Sequence, residues 1–362
     1  MRPFRLTLMA LAVCTTPLAS GQGAFAAMPS AGHASQASMG DPWAQATELA
    51  GSAAHVTGWF DPAWRAAVKA GTRQVLYVSV PEEGVVDVFS ADIHVRHAEM
   101  IGQIVGLDSP EGIAVDAARN LYVAQGDAGA PILVFAPGEM EPSRTLDTEG
   151  NVAEGVAVAR NGDVFAGTGP PRGAGVLIYR HGETAPSGML AAGGDTTPSI
   201  ALDRAGNIYL VSVMPASVNG ILEFQRTGDR QWRTLLFGGR GLHPPDPWSL
   251  GFDRNDDLVT YQWAHPSASL TVYPARARVG ERSHRRAIPQ PFSVSSFGFN
   301  HAQDALYVGT SAGVGGAGRV VEYAYGGRTG SIVAMNVIDG LGGNVAGVAA
   351  APAPPLPRPW SP

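Results

Sequence analysis

The sequence predicts an all-β fold: a six-bladed β-propeller of four-stranded blades, its ring closed by the C-terminal strand. Three observations carry the prediction. A short apolar strand recurs six times at blade-length intervals. The chain enters that pattern out of phase and supplies the missing piece at its far end. One position of the recurring strand is Ala or Gly in every unit. A chain of 362 residues can hold two domains, but repeats are sought first, because each unit of a repeat buries its apolar face only against its neighbours.

The recurring strand reads Ile113-Ala114-Val115-Asp116, Val156-Ala157-Val158-Ala159, Ile200-Ala201-Leu202-Asp203, Leu250-Gly251-Phe252-Asp253, Phe297-Gly298-Phe299-Asn300 and Val348-Ala349-Ala350-Ala351. The starts lie 43, 44, 50, 47 and 51 residues apart, room for four short strands and their loops. A second strand follows each of the first five: 121–123, 164–166, 208–210, 258–260 and 306–308. The turns between carry Arg119-Asn120, Asn161-Gly162-Asp163, Gly206-Asn207, Asn255-Asp256-Asp257 and Gln303-Asp304. Asn, Asp and Gly tolerate the positive φ that tight hairpins demand. A third strand ends on an aromatic residue each time: Phe135, Tyr179, Phe224, Tyr273 and Tyr323. A weaker fourth strand precedes the next unit, as at 144–146 and 233–236.

Before the first full unit, 76–78 matches the second strand and 85–89 the third, with no first strand ahead of them. The strand at 348–351 completes that blade, and closure of this kind leaves only short, protected edges. The second residue of the recurring strand is Ala114, Ala157, Ala201, Gly251, Gly298 and Ala349. Innermost strands converge on an axis where bulky side chains would clash, and the flanking Ile, Val, Leu and Phe fill the wider space between blades by strand alternation.

The flanks read differently. Arg2 and Arg5, an apolar run over 6–13 and Ala24-Phe25-Ala26 make a secretory signal over 1–26, with its cleavage motif. Residues 27–70 form an extension, disordered and then helical, in which Asp41-Pro42 and Asp61-Pro62 look like helix starts and 63–70 a short helix on the propeller. The propeller spans 71–351, and 352–362 is a Pro-rich tail. The lone Cys14 lies inside the signal and fits a lipoprotein box poorly, because Val13 is too large for the preceding position. The mature chain then has no thiol to form disulfides, and no later segment reads as a membrane span. Removing Arg2 and Arg5 moves the formal charge from −6 to −8, which argues against nucleic-acid partners. The expectation is a periplasmic or secreted monomer.

Pro110-Glu111-Gly112-Ile113-Ala114-Val115-Asp116, with Asn120-Leu121-Tyr122-Val123-Ala124 and Ile132-Leu133-Val134-Phe135, resembles an NHL repeat. The resemblance extends with decay over 75–351, and is similar to the wider group of six-bladed propellers that holds the SMP-30/gluconolactonase and strictosidine-synthase-like proteins. It implies the fold; propellers host many functions.

In this blade layout the loops before first strands and between second and third strands share one face. That face is expected to carry Glu111, Glu154, Asp195, Asp246 and Trp248 from one loop set and Glu82, Asp127, Arg172, Trp263, His265 and Ser311 from the other. The candidate ligand-binding residues are Glu111, Glu154, Asp246, Trp248, Trp263 and His265. Glu111 and Glu154 each precede the Gly that opens a first strand, and paired carboxylates suit Ca²⁺ or another divalent cation. The resemblance to SMP-30-like lactonases implies one divalent ion held by an acidic residue and an amide at equivalent blade positions. At those positions the other blades offer Ser199, Ser249, Ser296 and Ala346, an incomplete set, and solvated or Arg-paired carboxylates are the simpler reading. His243 and His265, with Asp246, suit metal or acid–base work, but a pocket-lining role is simpler. Trp248 and Trp263 offer a stacking surface for a sugar, or plain packing.

Three apparent motifs fail on context. Gly309-Thr310-Ser311-Ala312-Gly313 matches a nucleophile elbow and Gly313, Gly315 and Gly318 a dinucleotide fingerprint, yet a strand follows where both need a helix. Asp253, Asn255 and Asp257 imitate a calcium loop but have Leu258 where its Gly is needed, and read better as a hairpin turn. Two functions remain: binding of a small molecule, glycan or envelope protein through the loop-rich face, or a divalent-metal-dependent lactonase, hydrolase or lyase of the SMP-30-like type.

Overall fold

The computed structural model describes residues 56–91, 98–171, 173–193, 197–212, 220–227, 232–236, 247–262, 269–274, 284–287, 293–311, 317–327, 330 and 332–352. Residues 1–26, read above as a signal, Asp41-Pro42 and all residues after Pro352 lie outside them. Six antiparallel sheets form the six blades. From the axis outward, blade 2 is Pro110–Val115, Leu121–Gln125, Ile132–Phe135 and Arg144–Leu146; blade 3 is Val152–Val158, Val164–Gly169, Gly175–Tyr179 and Gly188–Ala191. Blade 4 is Ile200–Leu202, Ile208–Ser212, Gly220–Arg226 and Trp232–Leu236; blade 5 is Pro247–Phe252, Leu258–Gln262, Ser269–Tyr273 and His284–Ala287. Blade 6 is Ser293–Phe299, Ala305–Ser311, Gly318–Tyr325 and Ile332–Leu341.

Blade 1 closes the ring as the phase of the repeat requires. Its innermost strand is Gly347–Ala351, paired to Val75–Val80 with Tyr77 opposite Ala349, and Val85–Ser90 and Met100–Val105 follow outward. The innermost strands of blades 1 to 6 then neighbour one another in an unbroken cycle. Blade 1 also has a fifth strand, Thr57–Phe60, on its outer edge, which the sequence reading left in the extension. The outer edge of blade 6 is less protected than expected: its ten-residue strand leaves Val333, Met335 and Val337 exposed.

The core is divided among the gaps between blades. Strand alternation sends Leu121, Val123, Leu133 and Phe135 against blade 1 and Tyr122, Ala124, Ile132 and Val134 against blade 3. Six such clusters fill the six gaps, and each contains one third-strand aromatic: Phe89, Phe135, Tyr179, Phe224, Tyr273 or Tyr323. All six aromatics are buried. One of these rings fully buried contributes about 2–3 kcal/mol by area.

The six small residues on the inner strands all line a cavity of about 500 Å³ on the axis. This corrects the expectation of an axis too crowded for more than a methyl group. Crowding holds at Gly298, where a Cβ would lie 2.5 Å from the Val348 carbonyl of the closing strand. Elsewhere the closest approach falls one residue earlier, where all six blades have Gly or Ser: Gly112, Gly155, Ser199, Ser249, Ser296 and Gly347. A Cβ on Gly112 would meet the Glu154 carbonyl at 2.5 Å, and one on Gly347 the Glu111 carbonyl at 2.6 Å.

The turns behave as their composition predicts. The residue two before the second strand has φ of 71° at Arg119, 85° at Gly162, 81° at Gly206, 64° at Asp256 and 54° at Gln303. The side chain closing the inner strand ties the turn: Asp116 accepts from Asn120 N, Asp203 from Asn207 N, and Asn300 from Asp304 N. Asp253 does the same for Asn255 and Asp257, so the apparent calcium loop is a hairpin turn. The helix Pro62–Ala70 forms where expected. Asp61 caps it by accepting from Ala63 N and Trp64 N, Arg119 donates to its last carbonyls, and Arg65 and Lys69 pair with Glu139 of blade 2. Among the described residues no helix is long and apolar enough to cross a membrane.

Candidate functional site

The loop face is built by a repeated irregularity. The ladder between first and second strands shifts register in four blades: between Pro110 and Ile113, between Gly167 and Thr168, between Pro247 and Ser249, and between Val294 and Ser296. A β-bulge inserts an extra residue and re-aims its side chain. The residues so placed are Glu111, Glu154, Trp248 and Ser295, with Pro198 and Ala346 at the same position of blades 4 and 1. The register therefore corrects the set of equivalents read from sequence: Pro198, Trp248 and Ser295 replace Ser199, Ser249 and Ser296.

Glu111 and Glu154 are brought to adjacent inner strands at this face. The Ser79 hydroxyl of blade 1 donates to the Glu111 carbonyl at 2.6 Å, fixing the backbone of the bulge. Glu154 Oε2 accepts from the amide of Thr197 at 2.9 Å, which holds the approach to the inner strand of blade 4. Glu82 accepts from the Asn344 amide at 3.0 Å and its Nδ2 at 2.6 Å, and so holds the approach to the closing strand. The Glu111 side chain packs on Gly126, where a Cβ would stand 2.9 Å from Glu111 Cγ. Its carboxyl is pushed up to about 7, first by burial and then by the charges of Glu154, Glu82 and Asp127. The charges of Glu82, Asp127 and Glu154, from blades 1, 2 and 3, thus act on Glu111, which titrates near neutrality.

Trp248 shares the bulge position by its backbone, in the strand Pro247–Phe252. Asp246, Trp263 and His265 lie outside the described residues, as do His243, Asp195 and Arg172. Gly309, Thr310 and Ser311 end a strand, Ala305–Ser311, and the next described element is the strand Gly318–Tyr325 rather than the helix that either motif needs, while residues 312–316 lie outside the described residues.

The ion implied by the SMP-30-like resemblance needs donors from several blades. Pro198 and Ala346 have no side-chain ligand atom, and Ser295 offers only a neutral hydroxyl, already turned to the carbonyls of Gly309 and Val345. Among the described residues no group of three His, Cys, Asp or Glu is placed to hold a metal ion. Of the six equivalent bulge positions only Glu111 and Glu154 bring carboxylates, and these two do not complete that centre.

No protein-family model matches the chain, and no curated protein matches it. Solved structures do. A chain of a nidogen–laminin complex superposes with a TM-score of 0.58 at 13% identity, over 78% of this chain and 99% of that one. A protein from Lactobacillus plantarum gives 0.51 at 12%, over 77% and 99%. A candidate 6-phosphogluconolactonase from Bacteroides uniformis gives 0.50 at 12%, over 73% and 82%. The likeness is one of fold. At these identities it assigns no activity.

At the opposite end of the axis, among the hairpin turns, the axial cavity opens, and its wall includes His301 and Gln303.

Proposed function

We propose that the protein is exported and binds a positively charged ligand through its loop-rich face, with Glu111 as the central contact. The observation that carries this reading is the placement of Glu111 and Glu154 on adjacent inner strands, with the Glu111 carboxyl buried and raised further by the charges of Glu154, Glu82 and Asp127. Glu82 and Glu154 each have a backbone amide to hold. Glu111 has no such duty among the described residues, and burial keeps its proton on. A cation arriving there displaces that proton and gains a desolvated carboxylate, with three more negative charges around it. Small organic amines and Ca²⁺ both meet this description. A rigid ring with variable loops suits such a role. Export is supported by the basic, apolar and small-residue order of residues 1–26. The lactonase or lyase alternative requires a metal centre that the described donors do not complete.

Calorimetric titration of the purified protein with CaCl₂ and with 1,4-diaminobutane tests the reading. One of the two is expected to bind, with affinity rising through pH 7 as Glu111 loses its proton. Glu111→Gln is expected to weaken that binding about tenfold or more, and Glu154→Gln to weaken it less. Absence of binding by both probes, or binding that Glu111→Gln leaves intact, would falsify the site. Mass spectrometry of the protein from its native host tests export, which predicts an N-terminus at Ala27.

A further inference from the structure

The hairpin turns at the end of the ring away from Glu111 repeat one residue type. In blades 3, 4 and 5 each turn closes with the same pair of main-chain bonds, joining Ala159 to Asp163 and Gly162, Asp203 to Asn207 and Gly206, and Asp253 to Asp257 and Asp256. The residue after the inner strand therefore takes one position in each of these turns. It is Arg160, Arg204 and Arg254 in turn, and His301 follows the inner strand of blade 6 in the same way, whereas blade 2 has Ala117. The hairpin-turn face is basic along this arc.

Between blades 3 and 4 the arc borders a cavity of about 230 Å³, lined by Arg160, Arg204 and Arg226. That is below the roughly 300–1,000 Å³ of drug-sized sites, so a compact group fits it. Arg160 and Arg226 are exposed, and Arg204 is half-buried. Their backbones are pinned where it matters: Arg204 N donates to Asp256 Oδ1 at 2.8 Å, and Arg226 N to Asn207 Oδ1 at 3.0 Å. Arg204 Nη2 also donates to the Arg254 carbonyl at 3.3 Å. Two carboxylates share the wall, and each has a fixed task. Asp163 answers Arg180 at 2.9 Å and accepts from the His181 amide at 3.0 Å. Asp203 accepts from the amides of Ala205 and Asn207 at 2.9 and 2.8 Å, which holds the turn. Phe165 and Leu202 also belong to the wall, and charges act more strongly beside apolar surface than in open water.

We infer that this cavity is a second ligand site, for a compact oxyanion: the phosphate or carboxylate group of a small molecule. A guanidinium presents paired N–H donors in a planar fork that matches both groups. Arg160 comes from blade 3, and Arg204 and Arg226 come from blade 4, so the anion is held across the gap between two blades. The acidic face takes no part in this binding.

Calorimetric titration of the full protein with sodium phosphate and with sodium succinate tests the inference, against NaCl at matched ionic strength. At least one oxyanion is expected to bind saturably at one site, and NaCl is not. Saturation by phosphate alone marks a phosphorylated ligand, by succinate alone a carboxylated one, and by both the chemistry they share. Arg204→Lys keeps the charge and loses the fork; it is expected to weaken binding about tenfold, as is Arg226→Gln. Arg73→Gln removes a guanidinium that lies over Trp64 and is expected to change nothing, and Glu111→Gln likewise. Shifts of the amide NMR signals of Asn161, Ala205 and Gly206 locate the site without any substitution. Failure of both oxyanions to saturate overturns the inference. So do an equal response to NaCl, an affinity that both arginine substitutions leave unaltered, and shifts that fall outside these turns.

Discussion

Glu111 is where one side chain has the largest leverage. Its carboxyl sits near 7 against an ordinary 4.5, so the folded chain keeps a proton that the unfolded chain has lost. Below about pH 4.5 both states are neutral there and the residue costs nothing. Between that value and about 7 the unfolded chain ionises first, and stability falls as pH rises. Above 7 the full penalty applies, on the order of 3 kcal/mol. Glu111→Gln is therefore expected to melt higher than the parent at pH 8, by several degrees, and to match it near pH 4, as read by circular dichroism in the absence of cations. Equal melting at both pH values would show that Glu111 is solvated like any surface carboxylate. The turns and the buried aromatics were legible from composition, because the φ demanded of a hairpin and the burial of a ring are local matters. The role of Glu111 was legible only in part. Its place beside Glu154 follows from the repeat, and so does Ala346 of blade 1, but three other equivalents were placed one residue late: the Ser at 199, 249 and 296 aligns with Gly112 and Gly155 rather than with Glu111 and Glu154.

Strands and their edges obey the same distinction. Twenty-four strands form the four-stranded blades, and most announce themselves by alternation. The fifth strand of blade 1, Thr57–Phe60, does not: it is four residues long, mostly exposed, and belongs to no repeat. It adds to Met100–Val105 with Gly58 opposite Ile104, and a Cβ on Gly58 would run into the Gln103 carbonyl. Gly58→Val is expected to strip this strand from the sheet. Hydrogen exchange read by mass spectrometry is then expected to speed at Met100–Val105, while Val75–Val80 keeps its protection. Unchanged exchange at Met100–Val105 would mean that the added strand shields nothing. The outer edge of blade 6 has no such cover among the described residues, and Val333, Met335 and Val337 stand on it at alternate positions, as an uncovered apolar edge does.

At the scale of the whole molecule, stability depends on six gaps of similar content being closed at once. The gap between blades 6 and 1 is the one that joins the ends of the sequence, with Val348 and Ala350 packed beside Val78, Tyr307 and Val320. Gly298 stands at this seam. Gly298→Val places its Cβ against the Val348 carbonyl and is expected to cost about 3 kcal/mol or more. Thermal melting is expected to drop by about 6–12 °C, whereas Ala114→Val, which faces the open axis, is expected to cost far less. Similar losses for the two would mean that the axis is crowded all the way round. This closure was the most legible feature of all, because a phase error at one end of a periodic sequence and a spare unit at the other have a single geometric solution.

That clasp also sets a timetable. Val75 waits for Ala351, its register partner, and nearly the whole intervening sequence must leave the ribosome before the two can meet. Blades 2 to 6 have all their strands in order and can assemble as they emerge, but the first blade stays an open sheet until Gly347–Ala351 arrives. Contacts between such distant positions form slowly. A nascent chain stalled before residue 347 is thus a row of finished blades with one unfinished sheet at its head, primed to snap shut.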